Sequence, residues 1–288
     1  MSEPTGNDRL PIPDEPAVRE RADLTYNDYL KVPELLALQR PVSEPAHHDE
    51  MLFIVIHQSY ELWFKLILHE LGSAMGFMRQ GAVLRARHFV ARVVEILRNL
   101  VPQIHILETM TPAEFLQFRH RLMPASGFQS VQFREVEFAA GLKDERYLRF
   151  FRNRPDELRR LEQRLADPDL RTCFYDMLRD LGHPIPEDAV ARCDAGDEEA
   201  RGMVLDVLRG IWSDPEKDLP LYLLGESLIE LDEYLSLWRE HHVQVVERII
   251  GHKRGTGGSS GVGYLRQTTQ KKCFPLLWEV RTLLEPRT

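Results

Sequence analysis

Apolar residues along most of this chain recur in steps of four and three, the spacing that gathers them on one face of an α-helix. The longest such seam runs Leu224, Leu228, Leu231, Leu235, Trp238, His242, Val245 and Ile249. A second runs Phe53, His57, Tyr60, Phe64, Ile67 and Leu71. Each seam therefore turns one histidine, His242 or His57, toward an apolar interior. Between them, residues 82–100 are amphipathic with arginines on the outer face. Thr111-Pro-Ala-Glu114 has the form of a capping box with proline at the first helical position. It predicts a helix to about Met123, before Pro124, with Phe115 and Arg119 one turn apart on one face. A loop over 124–130 follows, then a helix that Gly141 can end. Residues 144–212, rich in arginine and glutamate, read as a subsidiary helical segment, with a start at Asp167-Pro168 and a stop at Gly182. Pro275 divides the C-terminal stretch. No repeat and no alternating strand pattern occurs, so the predicted class is all-α.

Composition narrows this picture. With 288 residues, 43% of them hydrophobic, the chain has the bulk to enclose a cofactor-sized cavity in one domain, predicted over residues 21–288. Residues 1–20, with Pro4, Pro11, Pro13 and Pro16 among charges, read as a mobile arm. The net charge of −8, with both signs interspersed, argues against nucleic-acid or anionic-membrane partners. Cys173, Cys193 and Cys273 are too widely spaced for a zinc ribbon or a covalently attached haem, which fits a reducing cytoplasm. The first residues hold no apolar signal segment, and no stretch approaches the ~20 apolar residues of a membrane span.

The chemistry concentrates near the C-terminus. About three turns after His242 the seam gives way to Lys253-Arg-Gly-Thr-Gly-Gly-Ser-Ser-Gly-Val-Gly263. Glycines let backbone N–H groups approach a ligand, and Thr256, Ser259 and Ser260 add hydroxyls. The loop lacks the Lys-Ser/Thr ending of a phosphate-binding loop and the third glycine of a dinucleotide fingerprint. A small substrate's carboxylate or ammonium remains as its ligand, beside the plainer reading of a flexible linker. His242 is a candidate ligand for a metal in a helical bundle or, on the plainer reading, a core histidine bonded to a carbonyl. His47-His-Asp-Glu50 cannot turn consecutive residues to one ion, Glu44-Pro-Ala-His47 is spoiled by its proline as a di-iron half-site, and no nucleophile elbow occurs. Two inward histidines, Arg119 on a capped helix, several aromatics and the glycine loop form a set that would suit a haem with an axial and a distal histidine. Taken singly, Arg119 would more simply be a surface residue, and Phe53 and Phe115 plain core.

Five stretches carry a resemblance: Leu24-Thr-Tyr-Asn-Asp-Tyr-Leu30, His48-Asp-Glu-Met-Leu-Phe-Ile-Val-Ile-His-Gln-Ser-Tyr-Glu-Leu-Trp-Phe-Lys65, Ser126-Gly-Phe-Gln-Ser130, Leu237-Trp-Arg-Glu-His-His242 and Lys253-Arg-Gly-Thr-Gly-Gly-Ser-Ser-Gly261. With these motifs the chain resembles the tryptophan 2,3-dioxygenases. The resemblance implies a helical homotetramer with b-type haem that turns L-tryptophan and O₂ into N-formylkynurenine. It makes His242 the iron ligand, with Trp238, Ser126, Gly127 and Tyr264 also at the cofactor. It makes His57 the distal histidine that meets the indole N–H, Arg119 the carboxylate-binding residue, and Thr256 a loop contact to the amino-acid end. Phe53, Ile54, Val55, Ile56 and Phe115 are the matching pocket positions. Tyr26, Tyr29 and Leu30 match a segment that completes a neighbouring subunit's site. A related haem monooxygenase and a haem-based sensor are the other readings open to the sequence.

Overall fold

The computed structural model describes residues 24–255 and 261–286, apart from the side chain of Tyr264. The arm read at residues 1–20 lies outside the described residues. Helices and loops make up the whole of what is described, with no strand among the described residues. The chain divides into two compact units, Met1–Arg40 and Pro41–Thr288.

In the first unit, α1 (Tyr26–Leu30) is capped by Thr25 and α2 (Val32–Leu36) follows directly, and neither buries a residue. The second unit is built on α3 (His48–Met78), α4 (Val83–Leu107), α5 (Pro112–Arg119), α6 (Val131–Ala139), α7 (Pro155–Ala166), α8 (Leu170–Asp180), α9 (Ala189–Asp194), α10 (Glu198–Ser213), α11 (Leu219–Ile250), α12 (Val262–Thr268) and α13 (Pro275–Glu279). Helix α4 lies between the two histidine-bearing helices α3 and α11 and packs on both. The stepped residues do what their spacing predicts: Ile67, Leu71, Leu224, Leu228 and Leu235 are almost wholly buried. Each contributes about 1.5–3 kcal/mol by leaving water.

Local signals set several boundaries. The Thr111 hydroxyl accepts from the N–H of Glu114 at 3.2 Å, and the Glu114 carboxylate accepts from the N–H of Thr111 at 3.0 Å, so the capping box is formed. Helix α5 gives way at His120 to a short 3₁₀ turn, His120–Leu122. The amphipathic stretch read at 82–100 continues to Leu107 through Pro102, because Leu100, Ile104 and Leu107 keep one buried face. The α8 cap is Asp169, two residues beyond the expected Asp167, because the Asp169 carboxylate accepts from the N–H of Thr172. Pro275 opens α13 at its first turn. Asp232, fully buried on α11, accepts from the N–H groups of Cys273 and Phe274 and from the Trp278 indole, which ties the C-terminal stretch to α11.

By length and mean hydropathy α3 alone among the described helices could cross a membrane. This differs from the expectation that no stretch approaches a membrane span, although Glu61 and Lys65 lie within the helix. Its Tyr60, Phe64, Ile67 and Leu71 belong instead to the core of the second unit.

Candidate active site

A cavity of about 260 Å³ opens among α3, the end of α4, α5, α6, α11, α12 and the loop between α5 and α6. It gathers residues that are far apart in sequence: Phe53 and His57 from α3, Phe115 and Arg119 from α5, Ser126 and Gly127 from the loop, Trp238 and His242 from α11. Tyr60, Phe64, Ile104, Phe133, Val246 and Ile250 complete a mainly apolar wall.

His57 sits one turn beyond Phe53, and its Nδ1 lies 2.7 Å from the Phe53 carbonyl oxygen. A carbonyl only accepts, so Nδ1 carries the proton and Nε2 keeps a free lone pair. Burial lowers the His57 pKa, outweighing the Phe53 hydrogen bond and the Glu61 carboxylate that raise it, and the ring is neutral at pH 7. His242 is pushed further, down to about 4, chiefly by burial and then by His57 and the Arg134 charge. The Trp238 indole stacks on it, with ring centroids 5.3 Å apart and planes 14° from parallel. A neutral imidazole in an apolar cavity is a competent metal ligand. His241, next in sequence, packs edge-on against His105 and is not among the residues lining the cavity.

At the other end, Phe53 and Phe115 stack at 5.7 Å, and Phe118 meets both edge-on. The Arg119 guanidinium donates to the Arg254 carbonyl, which fastens α5 to the start of the glycine loop. Gly255 and Gly261 both line the cavity. Gly261 has a φ of +69°, and a Cβ there would stand 2.6 Å from the Lys253 carbonyl oxygen, so the described ends of the loop meet at a glycine contact.

Some expected positions lie elsewhere. Ile54, Val55 and Ile56 do not line the cavity: the helix turns Val55 outward, where it is 46% exposed, and packs Ile56 into the core. Tyr26 and Leu30 lie in the first unit, where both are exposed. Thr256 and the Tyr264 side chain are outside the described residues. Sequence reading missed Arg134, Glu137 and Arg239, which line the cavity with nearly buried side chains. The available signal was charge beside apolar residues, in Phe133-Arg-Glu-Val-Glu-Phe138 and Trp238-Arg239.

A neutral histidine on the cavity wall, an aromatic lining, a second histidine and buried guanidinium N–H groups without partners among the described residues are a set that fits a haem. The family model described as tryptophan 2,3-dioxygenase matches residues 15–172 and 199–284. The chain belongs to the tryptophan 2,3-dioxygenase family. It is 48% identical over 268 residues to the tryptophan 2,3-dioxygenase of a Nocardioides species, covering 91% of this chain and 96% of that relative. The tryptophan 2,3-dioxygenase of Myxococcus xanthus is 44% identical, over 91% of this chain and 90% of its own. That of Xanthomonas euvesicatoria is 43% identical, over 90% and 87%. For a member of this family, the cavity between α3 and α11 is the candidate active site.

Proposed function

We propose that this chain opens the indole ring of L-tryptophan with O₂ to give N-formylkynurenine, the entry to the kynurenine pathway, using b-type haem held through His242. The observation that carries this reading is the arrangement of His57, Phe53, Phe115 and Arg119 in the cavity that His242 also lines. When bound, the haem supplies a ferrous iron at which O₂ is activated.

The chain's own residues bind and orient the amino acid. The free Nε2 of His57 accepts the indole N–H, a role its fixed tautomer leaves open. Phe53 and Phe115 hold the ring flat. Arg119 exchanges its bond to the Arg254 carbonyl for the stronger, charge-assisted pair with the substrate carboxylate, and Thr256 meets the same end of the substrate. Pinned at the indole N–H and the carboxylate, the substrate presents its C2–C3 bond in one pose. The apolar wall of Phe64, Phe133 and Trp238 excludes water from the reacting end.

The working form is a cytoplasmic homotetramer in which α1 docks on a neighbouring subunit and completes its site. Exposure of Tyr26, Tyr29 and Leu30, at 75%, 72% and 44%, supports this reading, because large apolar side chains on so short a helix lack cover within the unit. Deleting residues 1–30 should abolish activity and leave helix content largely intact by circular dichroism; full activity in the truncated protein refutes the shared site. The function itself is tested by giving haem-loaded, reduced protein L-tryptophan in air and following absorbance and mass. N-formylkynurenine is the expected product, and a haem protein that leaves tryptophan unchanged contradicts the proposal.

A further inference from the structure

Three ionised side chains stand in the cavity wall without a part in the reaction above. Arg134 and Glu137 lie one turn apart on α6, and Arg239 lies one turn before His242 on α11. Their side chains are 7%, 4% and 3% exposed. Glu137 accepts from both arginines, from Nη1 of Arg134 at one oxygen and from Nη2 of Arg239 at the other, the latter at 2.8 Å. The Arg134 guanidinium also lies over the Tyr147 ring, 4.1 Å from its centroid. Both cations are therefore held in place. Neither is saturated, because Nε of Arg134 and both Nε and Nη1 of Arg239 have no hydrogen-bond partner among the described residues.

Buried guanidinium N–H groups are costly to leave open, and folded proteins carry such groups where something else supplies the acceptor. Within the cluster one carboxylate serves two cations. The nearest buried acid along α11, Asp232, is already engaged by three donors from the C-terminal stretch. The cluster thus holds three buried, unpartnered donors and an excess of positive charge beside Phe133 and Trp238. That combination suits a carboxylate carried on a flat apolar body. Arg119, the other cavity-lining arginine, is committed to the amino acid at the loop end.

We propose that Arg134 and Arg239, held by Glu137, bind a carboxylate side arm of the haem and so fix the macrocycle's rotation about the His242 ligand. This rests on the haem reading above. Each single arginine replacement leaves Glu137 one partner, which spares the fold an unpaired buried charge.

The test uses iron-free protoporphyrin IX and its dimethyl ester, titrated by fluorescence into the full-length chain produced without haem. Neither probe needs His242 or turnover, and the two differ only in the carboxylates. The wild type should prefer the diacid. Arg134→Leu and Arg239→Leu should each weaken diacid binding roughly tenfold to a hundredfold, the range for a charge-assisted hydrogen bond, and leave ester binding within about twofold. Glu137→Gln, which frees both guanidiniums, should keep or strengthen diacid binding. Equal loss of diacid and ester in both arginine variants means that the cluster is structural and overturns the inference while the haem reading stands. A wild-type chain that binds neither porphyrin overturns the haem reading and this inference with it.

Discussion

The two ends of the cavity are built differently. At the α6–α11 end, Arg134, Glu137, Arg239 and Trp238 are nearly buried and locked by ion pairs and stacked rings. At the α5–loop end, Arg119 is only partly buried and bonded to a main-chain carbonyl at the edge of the glycine loop. A prosthetic group that stays for the life of the protein suits the first kind of wall, which folding itself organises. A substrate that comes and goes suits the second, whose contacts exchange at little cost. On the function proposed above, cofactor holding falls to the first end and turnover-linked recognition to the other.

The comparison breaks most completely at His242. Replacing it with Ala should abolish stoichiometric haem retention, read as the Soret absorbance per chain, whereas His241→Ala should leave retention intact. The reverse pattern would move the ligand to the wrong face of α11.

Next in size is the substrate end. Arg119→Leu should lower kcat/KM for L-tryptophan by about 2–5 kcal/mol, roughly thirtyfold to a few thousandfold, with a much smaller loss for tryptamine, which lacks the carboxylate. Equal losses for both would give Arg119 a structural role and erase the difference between the two ends.

The organised end depends on how firmly α11 is anchored. Asp232→Ala leaves three N–H donors unmet and should destabilise the protein by about 3 kcal/mol, a fall in melting temperature of roughly 6–12 °C. A change under about 2 °C would show that α11 is held by its apolar packing alone.

The smallest effect concerns His57, whose pKa lies below the ordinary value near 6.5 because of burial. In the unfolded chain the same histidine takes up its proton at about pH 6.5, so the unfolded state binds more protons as the pH falls. The stabilisation associated with neutral His57 is thus complete above about pH 6.5 and is lost below it. His57→Asn should flatten the decline in urea midpoint between pH 7 and 5. The KM for L-tryptophan should stay level from pH 8 through 6.5 and rise only at the lower pH where folded His57, its pKa depressed by burial, takes up a proton and Nε2 becomes a donor. An unchanged slope in the variant would mean that other groups set the pH dependence.

What the sequence revealed follows from which forces are local. Periodicity placed both histidines inward because burial on a helix depends only on phase, as at Ile67 and Leu224. Thr111 and Glu114 announced α5 because a capping box closes within four residues. The pairing of Glu137 with Arg239, 102 residues apart, left no mark beyond charges beside apolar residues, because it exists only once α6 meets α11. Ile54, Val55 and Ile56, pocket positions implied by the resemblance, are rotated off this cavity by the same helix that brings Phe53 and His57 into it.

The central claim is that this cavity holds L-tryptophan so rigidly that the substrate captures both atoms of O₂. Turnover of L-tryptophan under ¹⁸O₂, with mass analysis of the product, tests it most directly. N-formylkynurenine carrying two labelled oxygen atoms is the predicted result. A product with one labelled atom and a closed indole ring would contradict the account and make this chain a monooxygenase.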